Sequence, residues 1–81
     1  MGIIDLAAEH VRAARALLKW TQEDLANRSN VTGNTINLWE TGNVRPTEET
    51  KAHVRQAFEE AGIEFLNGGN PGVRLIRNRE G

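Results

Sequence analysis

The chain of 81 residues contains no cysteine. That absence excludes disulfides, thiolate zinc sites and cysteine nucleophiles together, although it does not by itself identify a compartment. Long apolar runs are missing as well. None approaches the roughly 20 residues that a membrane span requires, and the start, MGIIDLAAEHVRAAR, lacks the basic flank and apolar core of a signal peptide. The expectation is a cytoplasmic chain with no membrane partner. Histidine is scarce: His10 and His53 lie 43 positions apart and share no ligand spacing such as i, i+4. Each reads as a helix surface residue. With no paired-carboxylate or nucleophile constellation to assign, no catalytic residue, metal or cofactor is expected, and the chain does not read as an enzyme. Finally there is no surplus of basic charge, since 10 Lys and Arg stand against 11 Asp and Glu. Any contact with a polyanion has to be made by a local cluster.

What is present is ordinary for one globular domain: 38% hydrophobic and 26% charged residues. A chain this short buries only roughly 60 to 65% of its extended surface, enough for a single core. From residue 5 to about 19, Val11, Ala14 and Leu18 recur at i, i+3 and i+7, which predicts an amphipathic helix. Thr21 stands three residues before Asp24, an acidic variant of the capping box, and predicts a short helix from Gln22 to about Arg28. Asn30 suits a left-handed residue in a tight turn, and Thr32 can cap a third helix over 33–40. There Ile36 and Trp39 share one face, leaving an uncharged polar face opposite. Gly42 fits a helix stop and 43–46 a connector. Thr47 can then cap a fourth helix reaching Ala61, with Glu48 and Glu49 near its positive end and Val54, Ala57, Phe58 and Ala61 as its apolar stripe. After Gly62 the period becomes two: Ile63 and Phe65, then Val73 and Leu75, flank the turn cluster NGGNPG at 67–72. This predicts a β-hairpin. Its glycines are better explained by positive φ than by phosphate binding, because no P-loop Lys-Ser/Thr follows.

Residues 21–42, TQEDLANRSNVTGNTINLWETG, therefore form helix, tight turn, helix, the unit that lodges its second helix in a DNA major groove. The segment resembles the lambda-repressor-like (XRE) helix-turn-helix family at Gln22, Leu25, Ala26, Val31, Ile36, Glu40 and Gly42, and the resemblance extends over about 10–62. It implies a mainly α, compact four- to five-helix DNA-binding domain over 1–62, followed by a C-terminal β-hairpin and tail over 63–81. It also implies double-stranded DNA as partner. Carried over, Gln22 contacts a phosphate from the start of the second helix, while Gly33, Asn34, Thr35, Asn37 and Leu38 face the bases. Thr21, Arg12, Thr41, Asn43 and Arg45 are further candidates for backbone contacts, and Arg15 and Glu40 match a pair that ties the first helix to the third. Amides at 34 and 37 have the donor and acceptor that adenine presents at N6 and N7. Gly33 and Leu38 depart from the glutamine or arginine found at reader positions in many members; Leu38 can still meet a thymine methyl.

Plainer readings stand beside these. Gln22, Asn34 and Asn37 can be ordinary exposed helix residues, Thr41, Asn43 and Arg45 a solvated loop, and Arg12 an exposed charge. Arg74, Arg77 and Arg79 read most simply as a solubilising strand edge. In function, a transcriptional regulator, either a repressor or an antitoxin with an unknown partner toxin, stands against a helix-turn-helix core kept for protein contact. Dimer formation is expected, because one such module reads only about half a turn of DNA and two can read successive groove faces. An isolated hairpin is marginal in water. Its apolar side chains therefore cover either their own helices or a second copy.

Overall fold

A computed structural model describes residues 6–66 and 72–76. Four helices, α1 (Ala8–Leu18), α2 (Gln22–Ser29), α3 (Gly33–Glu40) and α4 (Glu48–Glu60), precede two strands, β1 (Ile63–Leu66) and β2 (Gly72–Leu75). The three later helices each begin on a threonine whose hydroxyl accepts a backbone N–H three residues on: Thr21 from Asp24, Thr32 from Thr35 and Thr47 from Thr50. At α2 the box is reciprocal, since Asp24 Oδ2 accepts the Thr21 N–H at 2.9 Å. The backbone N–H of Thr21, and after it the Thr21 hydroxyl, hold the Asp24 carboxyl below its ordinary range.

The first helix differs from the periodicity argument. It starts at Ala8 rather than near Asp5, which lies outside the described residues, and its cap residue Ala7 has no side-chain acceptor. Instead His10 Nδ1 accepts the Ala7 N–H at 3.0 Å. Lys19 ends α1 in the left-handed region, φ 61°, and Asn30 ends α2 there, φ 64°. Asparagine favours that conformation and lysine does not, so only the second turn could be expected from sequence.

Val11, Ala14, Leu25, Ile36, Val54 and Phe58 are completely buried, with Leu6, Trp39, Ala57 and Ile63 nearly so. Every helix contributes to this core, and so does β1. Ala61, expected in the apolar stripe, is the α4 cap residue and only half-buried. Trp20 lies against the core, stacked on Phe58 at 5.7 Å, with the Arg28 guanidinium 4.7 Å from its ring centroid. Ile63 pairs with Leu75 and Phe65 with Val73 in antiparallel register. Phe65 packs edge-on against both Phe58 and His10. The hairpin thus lies on the helices. Of the turn cluster, 67–71 lie outside the described residues, as do Arg77 and Arg79.

Candidate nucleic-acid interface

Helix α3 can serve as a reading element only if both its ends are fixed. Thr32 closes its start: its Oγ1 accepts the Thr35 N–H at 3.2 Å and donates to the Thr35 hydroxyl at 3.0 Å. At the far end a helix leaves four carbonyls without intrahelical partners. All four are taken. Asn37 accepts from the Thr41 N–H and hydroxyl, Leu38 from the Asn43 N–H and the Thr41 hydroxyl, and Trp39 from the Gly42 N–H. The Glu40 carbonyl accepts from Arg12 Nη1 at 2.6 Å. A cation there also meets the negative end of the helix dipole.

Arg15 and Glu40 join α1 to α3 by a two-pronged ion pair, Nε to Oε2 at 2.7 Å and Nη2 to Oε1 at 2.8 Å. The Arg15 Nη1 donates further to the Trp20 carbonyl at 2.9 Å. The Glu40 side chain is 3% exposed and that of Arg15 21%. Burial pushes the Glu40 carboxyl up, but hydrogen bonds from Arg15 and Gln22, with the charges of Arg15 and Arg12, outweigh it and hold the group below the ordinary carboxylate range. The hydrogen bond to Glu40 likewise raises Arg15, against the opposing effect of burial.

Gln22 extends this anchor to the surface. Its Nε2 donates to Glu40 Oε1 at 3.1 Å and, more loosely, to Asn37 Oδ1 at 3.4 Å. Sequence spacing gave no sign that residues 22, 37 and 40 meet. The consequence is that one amide links a helix start to the exposed face of the next helix. Around it Asn34, Asn37, Thr41, Asn43 and Arg45 are exposed, while Gln22, Gly33, Thr35 and Leu38 are half-buried. Thr21 is exposed at the α2 cap. An open groove of about 610 Å³ runs between the starts of α2 and α3, with Gln22, Asn27, Thr32 and Gly33 in its wall. No spacing in the sequence points to Asn27 as part of this wall. Arg12, Thr41 and Asn43 hold structural bonds at the end of α3, so contact with a partner would have to use their remaining donors.

Two short helices joined by the 30–32 turn, with polar side chains on the second and the first pointing its N-terminus to the same groove, define a helix-turn-helix of the DNA-binding regulator class. Residues 11–50 match the family model described as Helix-turn-helix. That segment, 40 of the 81 residues, is of the lambda-repressor-like (XRE) helix-turn-helix type, a DNA-binding and non-enzymatic domain type. No curated protein matches the chain. Among the described residues no helix is long and apolar enough to cross a membrane, and no group of His, Asp or Glu could hold a metal ion.

Proposed function

We propose that the protein is a sequence-specific transcriptional regulator, of repressor or antitoxin type, that inserts α3 into the DNA major groove. The observation that carries this reading is the exposed, uncharged face of α3 on an anchored helix: Asn34 and Asn37 project from an element capped by Thr32 at its start, bonded at its last carbonyls and tied to α1 by Arg15 and Glu40. In this reading Gly33, Asn34, Thr35, Asn37 and Leu38 meet base edges. Gly33, with open space where a side chain would stand, lets the backbone approach closely. Gln22 and Thr21 meet the phosphate backbone at the start of α2, and Arg12, Thr41, Asn43 and Arg45 meet it around the end of α3. Residues 1–62 supply the DNA-binding unit and 63–81 a dimerisation element. A symmetric dimer presents two such faces to one palindrome, about 34 Å apart.

Selection of bound fragments from random DNA, followed by gel shifts at increasing salt, tests the proposal. The expected result is a two-fold symmetric site bound more weakly as salt rises. Failure to enrich any sequence would instead favour a helix-turn-helix kept for protein contact, a reading supported by the net charge of −1.

A further inference from the structure

Among the described residues that wall the groove between the starts of α2 and α3, Glu23 alone is charged. It is exposed in the first turn of α2, directly after Gln22, and Thr32 and Gly33 at the start of α3 share the wall with it. A second acid stands in the same turn. Asp24 is committed to the helix end, since its carboxylate accepts the Thr21 N–H while its own N–H donates to the Thr21 hydroxyl, both at 2.9 Å. Glu40, the acid at the end of α3, is nearly buried and paired with Arg15. Glu23 has no hydrogen bond or ion pair among the described residues. Its full charge is left to solvent and to whatever approaches the groove.

An acid in the first turn stabilises a helix by facing its positive end. The same charge opposes a phosphate there. Free N–H groups at a helix start attract anions, but the dipole supplies only about half a positive charge, which one carboxylate in that turn more than cancels. We propose that Glu23 limits the affinity of the protein for DNA: its carboxylate, beside the α2 contact with the phosphate backbone, weakens binding to every sequence alike and leaves selection to the uncharged side chains of α3. This rests on the proposed docking of α3 in the major groove, with Thr21 and Gln22 at the backbone. Every duplex presents the same phosphates, so the repulsion carries no sequence information. Non-specific binding is essentially electrostatic. Glu23 therefore holds it low, and a protomer stays on DNA only where Asn34, Asn37 and their neighbours add base contacts.

Equilibrium titrations of the full chain with a labelled selected duplex and with a scrambled duplex of the same length test this. Glu23→Gln keeps the size of the side chain and removes its charge. It is expected to tighten both duplexes by the same factor, roughly three- to tenfold at low salt, and the gain should shrink as salt screens the charges. Glu23→Lys should tighten both further and add about one to the steepness of the salt dependence. Glu9→Gln makes the same change of net charge in the first turn of α1, beside β2, and should leave both affinities within about twofold. Urea melts accompany the titrations: a mere helix-end role for Glu23 would lower stability slightly and leave affinity no higher. A native chain that binds neither duplex overturns the DNA-binding reading itself. Binding that Glu23→Gln leaves unchanged or weakens overturns the inference about Glu23 and keeps that reading. So does an equal gain from Glu9→Gln, which would assign the effect to net charge, and so does a gain confined to the selected duplex, which would make Glu23 a base-reading group.

Discussion

Glu40 is the residue on which the anchoring of α3 converges, since Arg15 and Gln22 bond its carboxylate and Arg12 bonds its carbonyl. Removing Arg15 leaves a nearly buried carboxylate without its countercharge. Urea melts of Arg15→Met should therefore show a loss of about 2 to 4 kcal/mol, and a cycle with Glu40→Gln should give strong coupling. The pH dependence has a definite sign. A carboxyl held below its unfolded value of about 4.3 binds protons less readily in the folded chain, so its stabilisation is present above that pH and is lost as the pH falls through the lower folded value. Melts across this acid range should steepen for the native protein and flatten for Glu40→Gln. At the reading face, Asn34→Ala should cost about 1 to 3 kcal/mol at the selected site and relax its sequence, while Gln22→Ala should weaken all sequences alike. Competition titrations with matched and scrambled DNA separate the two patterns.

At the scale of elements, stability depends on closing helix ends. Thr21→Ala, Thr32→Ala and Thr47→Ala should each cost about 1 kcal/mol in thermal or urea melts. Gly62 is a stricter point. Its φ is +100°, and a Cβ there would stand 2.9 Å from the Ile76 carbonyl oxygen, so Gly62→Ala combines backbone strain with a clash against the hairpin. A loss of about 1 to 3 kcal/mol is expected. These closures explain what the sequence discloses. Thr21 with Asp24, Thr32 and Thr47 each act through residues three positions away and Asn30 through its own left-handed backbone, so the start of α3 could be read to the residue and its end approximately. The start of α1 could not, because His10 replaces the acceptor that Ala7 lacks, and Lys19 adopts a conformation its type disfavours. The site was readable as residue types along one helix face. Of its wiring only the tie of Arg15 to Glu40 was expected, through the family resemblance; Gln22 to Asn37 and Arg12 to the Glu40 carbonyl span 15 and 28 positions, distances at which local spacing carries no information.

For the whole molecule the balance of charge constrains how DNA can be held. Only Arg12 and Arg45 among the proposed contacts are cationic, and Arg12 already serves the end of α3. The logarithm of the DNA association constant should accordingly fall with the logarithm of salt at a slope of roughly −2 per protomer. A slope several times steeper would move the phosphate contacts to other residues. The placement of the two tryptophans bears on how such experiments can be watched. Trp39 is 4% exposed in the core, and Trp20 is half-buried in contact with Phe58 and Arg28. With no tyrosine in the chain, these two rings dominate its near-ultraviolet emission. That light reports the integrity of the helical core and should stay nearly constant when α3 meets a base, so emission can monitor unfolding in the very samples in which a labelled duplex monitors binding.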